Sequence, residues 1–387
     1  MNEAWVEQIR ERYRGFIKEK VNPGAVERDA AAATLSRELL REAASLGLFR
    51  LPLPKRLGGE AVDELRWGLV LEQLGYLSVD ASFPTLVGLF VGTHQFLLGL
   101  GRTDLEERYL RPLGRGDGLV SFAYTEGADP FSFRSRALEV PGGYLLHGEK
   151  HMVSGGTIAD AFIVYVRDEK NDLLAFLVER DDPGLEILPL QLSGLRALGV
   201  AALRLKDVRV GPERLLVASD GLREAQSYLN ARRASVVPPM VGRMQAILEG
   251  CVESLGATLR YDRPLTDMQN VQARLGRMSV AVEISRAAMY RTLERLSRGE
   301  TDALWDASIS ATKYFVTEQA LQVAEAALRL LGTRAYLREN HFERSVRDFL
   351  AGLAAAGAQD TLEVDLGVMA ISAIEQRRRQ PPKGGQP

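Results

Sequence analysis

The spacing of apolar residues changes twice along this chain. That restricts the fold to a helical segment, a β segment and a second helical segment, in that order. From the start to about Leu113, apolar residues recur at intervals of three and four, as in Leu35, Leu39, Leu40 and Leu46, then Leu65, Leu69, Val70 and Leu74. A helical turn gathers such residues onto one buried face. Breaks at Asn22-Pro23-Gly24, Pro52-Leu53-Pro54 and Gly58-Gly59 divide the segment into several helices.

From about Gly118 to Leu216 short apolar runs alternate with turn signals. Pro141-Gly142-Gly143 precedes Tyr144-Leu145-Leu146, Ala161 to Val166 and Leu173 to Val178 read as strands, and Asp182-Pro183-Gly184 separates these from Leu185 to Leu188. Leu203 to Val210 alternates with the period of a half-buried strand. The segment is expected to be a compact barrel or sandwich. After Ser219 the helical period returns, and Val271, Leu275, Met278 and Val282 space as a bundle seam. The expected architecture is mainly α with a middle β domain: a helical domain over 1–117, a β domain over 118–218, a helix bundle over 219–376 and a disordered tail over 377–387, which reads RRRQPPKGGQP.

Composition narrows the function classes. With 387 residues, 46% hydrophobic and 26% charged, the chain is an ordinary globular one of more than one domain. A formal net charge of −2 gives no global field for nucleic acid or an anionic membrane. The single cysteine, Cys251, excludes an internal disulfide framework, fits a reducing cytoplasm, and sits in an apolar helical pattern as a structural thiol. The N-terminus is charged and lacks an apolar signal core, so no secretory signal is expected. The most apolar stretch, Phe83 to Gly101, is interrupted by Thr93, His94 and Gln95 and reads as a buried helix, not a membrane span. His94, His147, His151 and His341 show no zinc spacing, and there is no nucleophile elbow, Walker loop or dinucleotide fingerprint.

An ordered set of strings points further. Phe122-Ala123-Tyr124-Thr125-Glu126 opens the β segment, followed by Gly127-Ala128-Asp129. Then come Gly148-Glu149-Lys150-His151-Met152-Val153-Ser154-Gly155-Gly156, Gly194-Leu195-Arg196, Lys206 to Val210, Pro264-Leu265 with Gln269, and Glu343-Arg344-Ser345-Val346-Arg347-Asp348. In this order the chain resembles the acyl-CoA dehydrogenase family of flavoproteins over nearly its whole length. The resemblance implies an N-terminal helical domain, a middle β domain and a C-terminal four-helix bundle, assembled as a homo-oligomer, dimer or tetramer. It implies FAD between β domain and bundle, an acyl thioester substrate on CoA or a carrier protein, and an acceptor flavoprotein or oxygen for the electrons. A glutamate of the family removes the α-proton while the β-hydrogen leaves as hydride to the flavin.

Carried over residue by residue, the resemblance places FAD at Tyr124, Thr125, Met152, Ser154, Gln269 and Gly332. Thr125 takes the pyrimidine end of the flavin, and Ser154 is the hydroxyl aimed at N5. Met152 stands where a tryptophan commonly covers the ring. Ala128, Ala356 and Arg233 fall at substrate positions. The departures are as informative. The family's base position is Ala356, followed by Gly357; the alternative base position, before the arginine at Arg233, is Arg232. Neither can take a proton. Thr258, Tyr261-Asp262 and Arg329 to Ala335 replace segments that approach the outer half of FAD, keeping only Gly332 of three glycines. Arg260, Arg263, Arg329 and Arg334 are either phosphate ligands of a rearranged site or surface charges.

Replacement bases are sought at Tyr228, one turn before Arg232, at Glu224 one turn further, and at Asp360 after the Ala356 loop; an exposed helix position explains Glu224 equally well. Three readings follow: an FAD oxidoreductase with non-standard chemistry, a non-catalytic or FAD-poor subunit of a hetero-oligomer, and a flavin monooxygenase on the same fold.

Overall fold

The computed structural model describes residues 3–127, 130–302 and 304–379. Its first layer is helical. α1 (Glu3–Phe16) runs on through a π turn, α2 (Ala25–Ala31) follows, and α3 (Arg37–Ser45) starts where the Ser36 hydroxyl accepts the Leu39 N–H. α4 (Glu64–Leu77) is capped in the same way by Asp63. The apolar stretch from Phe83 becomes α5 (Ser82–Gly99), buried on most sides by protein. His94 is accommodated there because its two ring nitrogens meet the Phe90 and Gly118 carbonyls, both at 2.7 Å. Two short pieces, α6 (Thr103–Leu105) and α7 (Arg111–Leu113), lead into the sheet.

The strands are β1 (Val120–Ala123), β2 (Arg136–Val140), β3 (Gly143–Val153), β4 (Ala161–Arg167), β5 (Leu173–Glu179), β6 (Leu185–Pro189), β7 (Ala201–Val210) and β8 (Leu215–Val217). They form one sheet in the order β6-β7-β3-β2-β4-β5-β8, with β1 running parallel to β4. β7 keeps the expected alternation in two halves: Leu203 and Leu205, then Val208 and Val210, are buried, but Lys206 and Asp207 are both exposed where the pairing with β3 slips and Asp207 has φ +55°, so the phase shifts by one residue. β4 is buried at every residue, covered on both faces.

The bundle comprises α8 (Gly221–Ser235), α9 (Val237–Gly256), α10 (Gln269–Ser297), α11 (Ala307–Leu331), α12 (His341–Ala354) and α13 (Gln359–Arg379). Between α9 and α10 lies the small hairpin β9 (Leu259–Arg260) and β10 (Arg263–Pro264). Val271, Met278 and Val282 enter the bundle core with Val241, Met244 and Ile247, whereas Leu275 is half-buried beside it. Cys251 is buried in that core, and burial pushes its thiol up to about 12, which keeps it protonated and inert. Arg377 to Arg379, expected in the disordered tail, continue α13. The rest of that tail lies outside the described residues. Among the described residues no helix is long and apolar enough to cross a membrane.

A third apolar cluster joins β1, β4 and β5 to α8 and fixes the sheet against the bundle. Its centre is a stacked pair: the rings of Phe122 and Tyr228 lie 3.8 Å apart at 21°. This contact sets where the end of the sheet meets α8.

Candidate active site

One wall of the junction comes from the sheet. The pairing of β3 with β7 loses register between Lys150 and Val153, and Met152 in that gap has φ +56°. The irregularity turns Met152 outward, so that it is 53% exposed although it lies within a strand. The Thr125 carbonyl accepts the His151 N–H at 2.8 Å, and the Ser154 carbonyl accepts the Ser121 hydroxyl at 2.8 Å. Thr125, Met152 and Ser154 therefore share one rim. Tyr124 does not join them with its side chain. Its ring packs edge-on against Phe133 and Tyr165 in the core.

Below the rim is a buried ion pair. Lys150 Nζ donates to Glu126 Oε1 at 2.6 Å and to the Tyr124 carbonyl at 3.2 Å. Burial pushes Lys150 down to about 8 and would push Glu126 up, but the ammonium outweighs this and holds the carboxyl below its usual range. Glu126 also accepts the Arg134 N–H at 2.6 Å, so the pair anchors both ends of the loop after β1. Ala128, in that loop, lies outside the described residues.

The other wall comes from α8 and the turn between α12 and α13. Arg233 donates through Nε to the Ala356 carbonyl at 3.1 Å and through a terminal nitrogen to Asn230 Oδ1 at 3.1 Å. Its guanidinium lies 4.1 Å from the centre of the Trp305 ring. Ala356 has φ +55° and Gly357 +98°, so the turn is left-handed at both residues. No hydrogen bond among the described residues occupies the Ala356 N–H. Lys313, from α11, holds the turn from beneath: its ammonium donates to the Gly352 and Gly357 carbonyls, both at 2.7 Å, and to Gln359 Oε1 at 2.9 Å. Sequence reasoning missed Lys313 and Trp305. A lone lysine in the apolar run Ser310-Ala311-Thr312-Lys313-Tyr314-Phe315-Val316 is the available signal for the first.

The strings Gly194-Leu195-Arg196 and Arg347-Asp348 prove to be two halves of one joint. Asp348 Oδ1 accepts the Leu195 N–H at 2.7 Å, while Arg347 pairs with Asp29 at 2.7 Å and Glu343 at 2.7 Å. A Cβ on Gly194 would lie 1.9 Å from the Arg347 carbonyl oxygen, so only glycine admits this approach. Ala197 packs in the same cluster as α3, and the Leu198 carbonyl accepts the Gly155 N–H, so the joint ties the bundle to the rim at Ser154.

The remaining candidates lie as follows. Tyr228 is buried, and its hydroxyl shares a hydrogen bond of 3.1 Å with Thr93. Burial raises its pKa, which makes it a poor base. Glu224 is exposed on α8, and Asp360 is exposed in the first turn of α13. Arg232 is buried and donates to the Gly88 carbonyl on α5 at 2.6 Å. Gln269 and Gly332 are exposed at the same end of the α10–α11 pair, and a Cβ on Gly332 would meet no atom within 4 Å. Thr258 spends its hydroxyl on the Ser254 carbonyl at 2.8 Å, and Arg329 is paired with Glu325.

Comparison with known proteins supports the three-part architecture across the chain. Three family models match in order: the acyl-CoA dehydrogenase N-terminal domain over residues 5–117, the middle domain over 121–208 and the C-terminal domain over 219–369. A benzylmalonyl-CoA dehydrogenase of Aromatoleum aromaticum is 28% identical over 369 residues, covering 92% of this chain and 95% of its own. A 3-(aryl)acrylate reductase of Clostridium sporogenes is 26% identical over 356 residues, 88% of this chain and 92% of its own. Among solved structures, the prolyl acyl carrier protein oxidase AnaB superposes with a TM-score of 0.88 at 25% identity, covering 95% of this chain and 98% of its own.

Proposed function

The chain belongs to the acyl-CoA dehydrogenase family, and from that premise we propose that it is an FAD-dependent oxidoreductase of acyl thioesters whose proton acceptor is neither residue 356 nor residue 232. The observation that carries the reading is the α8–α12 junction, where Arg233 grips the Ala356 carbonyl and the Ala356 N–H is left without a partner. A backbone donor fixed in this way suits a thioester carbonyl, whose oxygen gains charge as the α-proton leaves.

The residues present fit the ring end of FAD: Thr125 and Ser154 offer hydroxyls at one rim, and exposed Met152 offers an apolar cover between them. At the outer end, Gln269 and the open backbone at Gly332 are the positions that would meet the rest of the cofactor. When bound, FAD supplies the acceptor for a hydride from the β-carbon. Arg233 and Lys313 hold the turn, and Ala356 orients the carbonyl. The acyl group rides on CoA or on a carrier protein, a choice supported by the likeness to a carrier-protein oxidase. The electrons leave to a second flavoprotein or to oxygen, and the working form is a homo-oligomer.

The test is direct. Purified protein is expected to carry FAD in a stoichiometric ratio, and acyl-pantetheine thioesters are expected to bleach it under anaerobic conditions. Ala356→Glu restores a carboxylate over the α-carbon and is expected to speed bleaching by about 10²-fold or more, the usual contribution of a positioned base. Protein that neither carries nor takes up FAD overturns the enzyme reading and leaves the non-catalytic subunit, the reading favoured by the loss of both carboxylates.

A further inference from the structure

Arg232 is a buried cation without a contact counter-ion among the described residues. It is 5% exposed, one terminal nitrogen donates to the Gly88 carbonyl at 2.6 Å, and its Nε has no hydrogen-bond partner among those residues. Burying a guanidinium costs several kcal/mol, on the order of the penalty for any unpaired ion, and folds normally offset it with a carboxylate. Here α5 instead makes room for the side chain. A Cβ on Gly92 would lie 2.3 Å from a terminal nitrogen of Arg232 and 3.2 Å from its Cδ. One turn earlier, Gly88 presents its carbonyl to the same group.

A cavity of about 290 Å³ opens beside this guanidinium, between α4, α5 and α8, with Gln95, Phe96 and Tyr228 in its wall. Two carboxyl groups also face it. Glu64 accepts the Gln95 amide at 3.3 Å; burial and Asp63 raise its pKa while the nearby Arg232 charge works against them, and Glu224 stands at the exposed edge. Arg233, next to Arg232 on α8, reaches the Ala356 turn. Arg232 and Arg233 are consecutive on α8, so the cavity and the Ala356 turn meet the same helical turn from different sides.

We propose that Arg232 is a specificity-determining residue that reads an anionic group, a carboxylate, at the distal end of a short acyl chain held in the α4–α5–α8 cavity. The inference rests on the acyl-thioester reading above. A carboxylate entering the cavity supplies a contact counter-ion, which no described residue gives Arg232 although Glu64 lies within range of its charge, and takes the free Nε–H. A neutral chain of equal length leaves both unsatisfied.

The experiment compares matched pantetheine thioesters, which present the arm common to CoA and carrier proteins. Succinyl- and glutaryl-pantetheine are titrated against butyryl- and valeryl-pantetheine by calorimetry on the FAD-loaded protein. The carboxylate-bearing member of each pair is expected to bind at least tenfold more tightly. Arg232→Gln, which keeps a donor for Gly88, should abolish the preference by weakening the carboxylate-bearing thioesters at least tenfold relative to their neutral partners, and Arg232→Lys should retain part of it. Equal affinity within each pair, or a preference that survives Arg232→Gln, overturns the inference and leaves the thioester reading standing. Failure of all four thioesters to bind overturns both.

Discussion

Asp348 meets two opposing demands. Its carboxylate must accept the Leu195 N–H, yet it is buried. Burial pushes it up to about 7, against the pull of that N–H and of Arg344 and Arg347. The sign follows from linkage: an acid whose folded pKa lies above its unfolded one holds its proton longer in the native state, so stability falls as pH rises from about 4 to about 7. Asp348→Asn keeps an acceptor for Leu195 and removes the titration. Its thermal midpoint relative to the natural protein should be unchanged near pH 4 and should rise up to pH 7.5, by about 1–4 kcal/mol in stability, one pKa unit being worth roughly 1.4 kcal/mol. A difference that is flat with pH would show that Asp348 is ionised throughout. His341 must be kept out of the comparison by using differences: burial, with Arg243 and Arg344 nearby, pushes it to about 3, and its own contribution runs in the opposite sense.

The turn between α12 and α13 depends on α11 for its shape. α12 ends at Ala354, and the two left-handed residues that follow, Ala356 and Gly357, are not held by a helix of their own. Lys313 replaces that support with three hydrogen bonds across the elements, to Gly352, Gly357 and Gln359. Burial pushes Lys313 down to about 8, with the nearby Arg233 charge adding to it. Lys313→Met retains the apolar stem and loses the donors. It should cost about 2–3 kcal/mol: the three hydrogen bonds lost, each worth roughly 1.5–3 kcal/mol, are offset in part because the desolvation cost of the buried ammonium goes with it. Hydrogen exchange of the amides at 355–359 should accelerate while the α9 core stays protected. Uniform acceleration across the bundle would mean that Lys313 serves the core and not the turn.

At the level of the whole molecule, the last helix leaves an apolar stripe uncovered. Val364, Val368, Ile371 and Ile374 are all exposed on α13, spaced to lie on one face. Leu259 and Tyr261 on the β9–β10 hairpin and Val280 and Ile284 on α10 are exposed as well. Apolar surface repeated on one face of a helix marks an interface. Light scattering on the purified protein is expected to give a dimer or tetramer. The double substitution Val368→Glu with Ile371→Glu should lower that mass while leaving the circular dichroism of the helices intact; an unchanged mass would place the interface elsewhere.

The three-part fold was legible because each period of apolar spacing is a local property: the two period-two pairs Leu203/Leu205 and Val208/Val210 and a spacing of three and four in Val271–Val282 need no knowledge of distant residues. The same holds for Ala356 and Arg232, where the resemblance puts the family's base, since identity alone says that neither takes a proton. Arg377 to Arg379 were misjudged because composition does not register that a helix already running continues outward. Tertiary structure alone decided the rest. Met152 faces outward because of a register slip against β7, which no string within β3 encodes. Lys313 reaches the α12–α13 turn from α11, and Arg232 enters a space cleared by Gly92 and donates there to the Gly88 carbonyl. These contacts join residues far apart in the chain, so their chemistry exists only after the elements have packed.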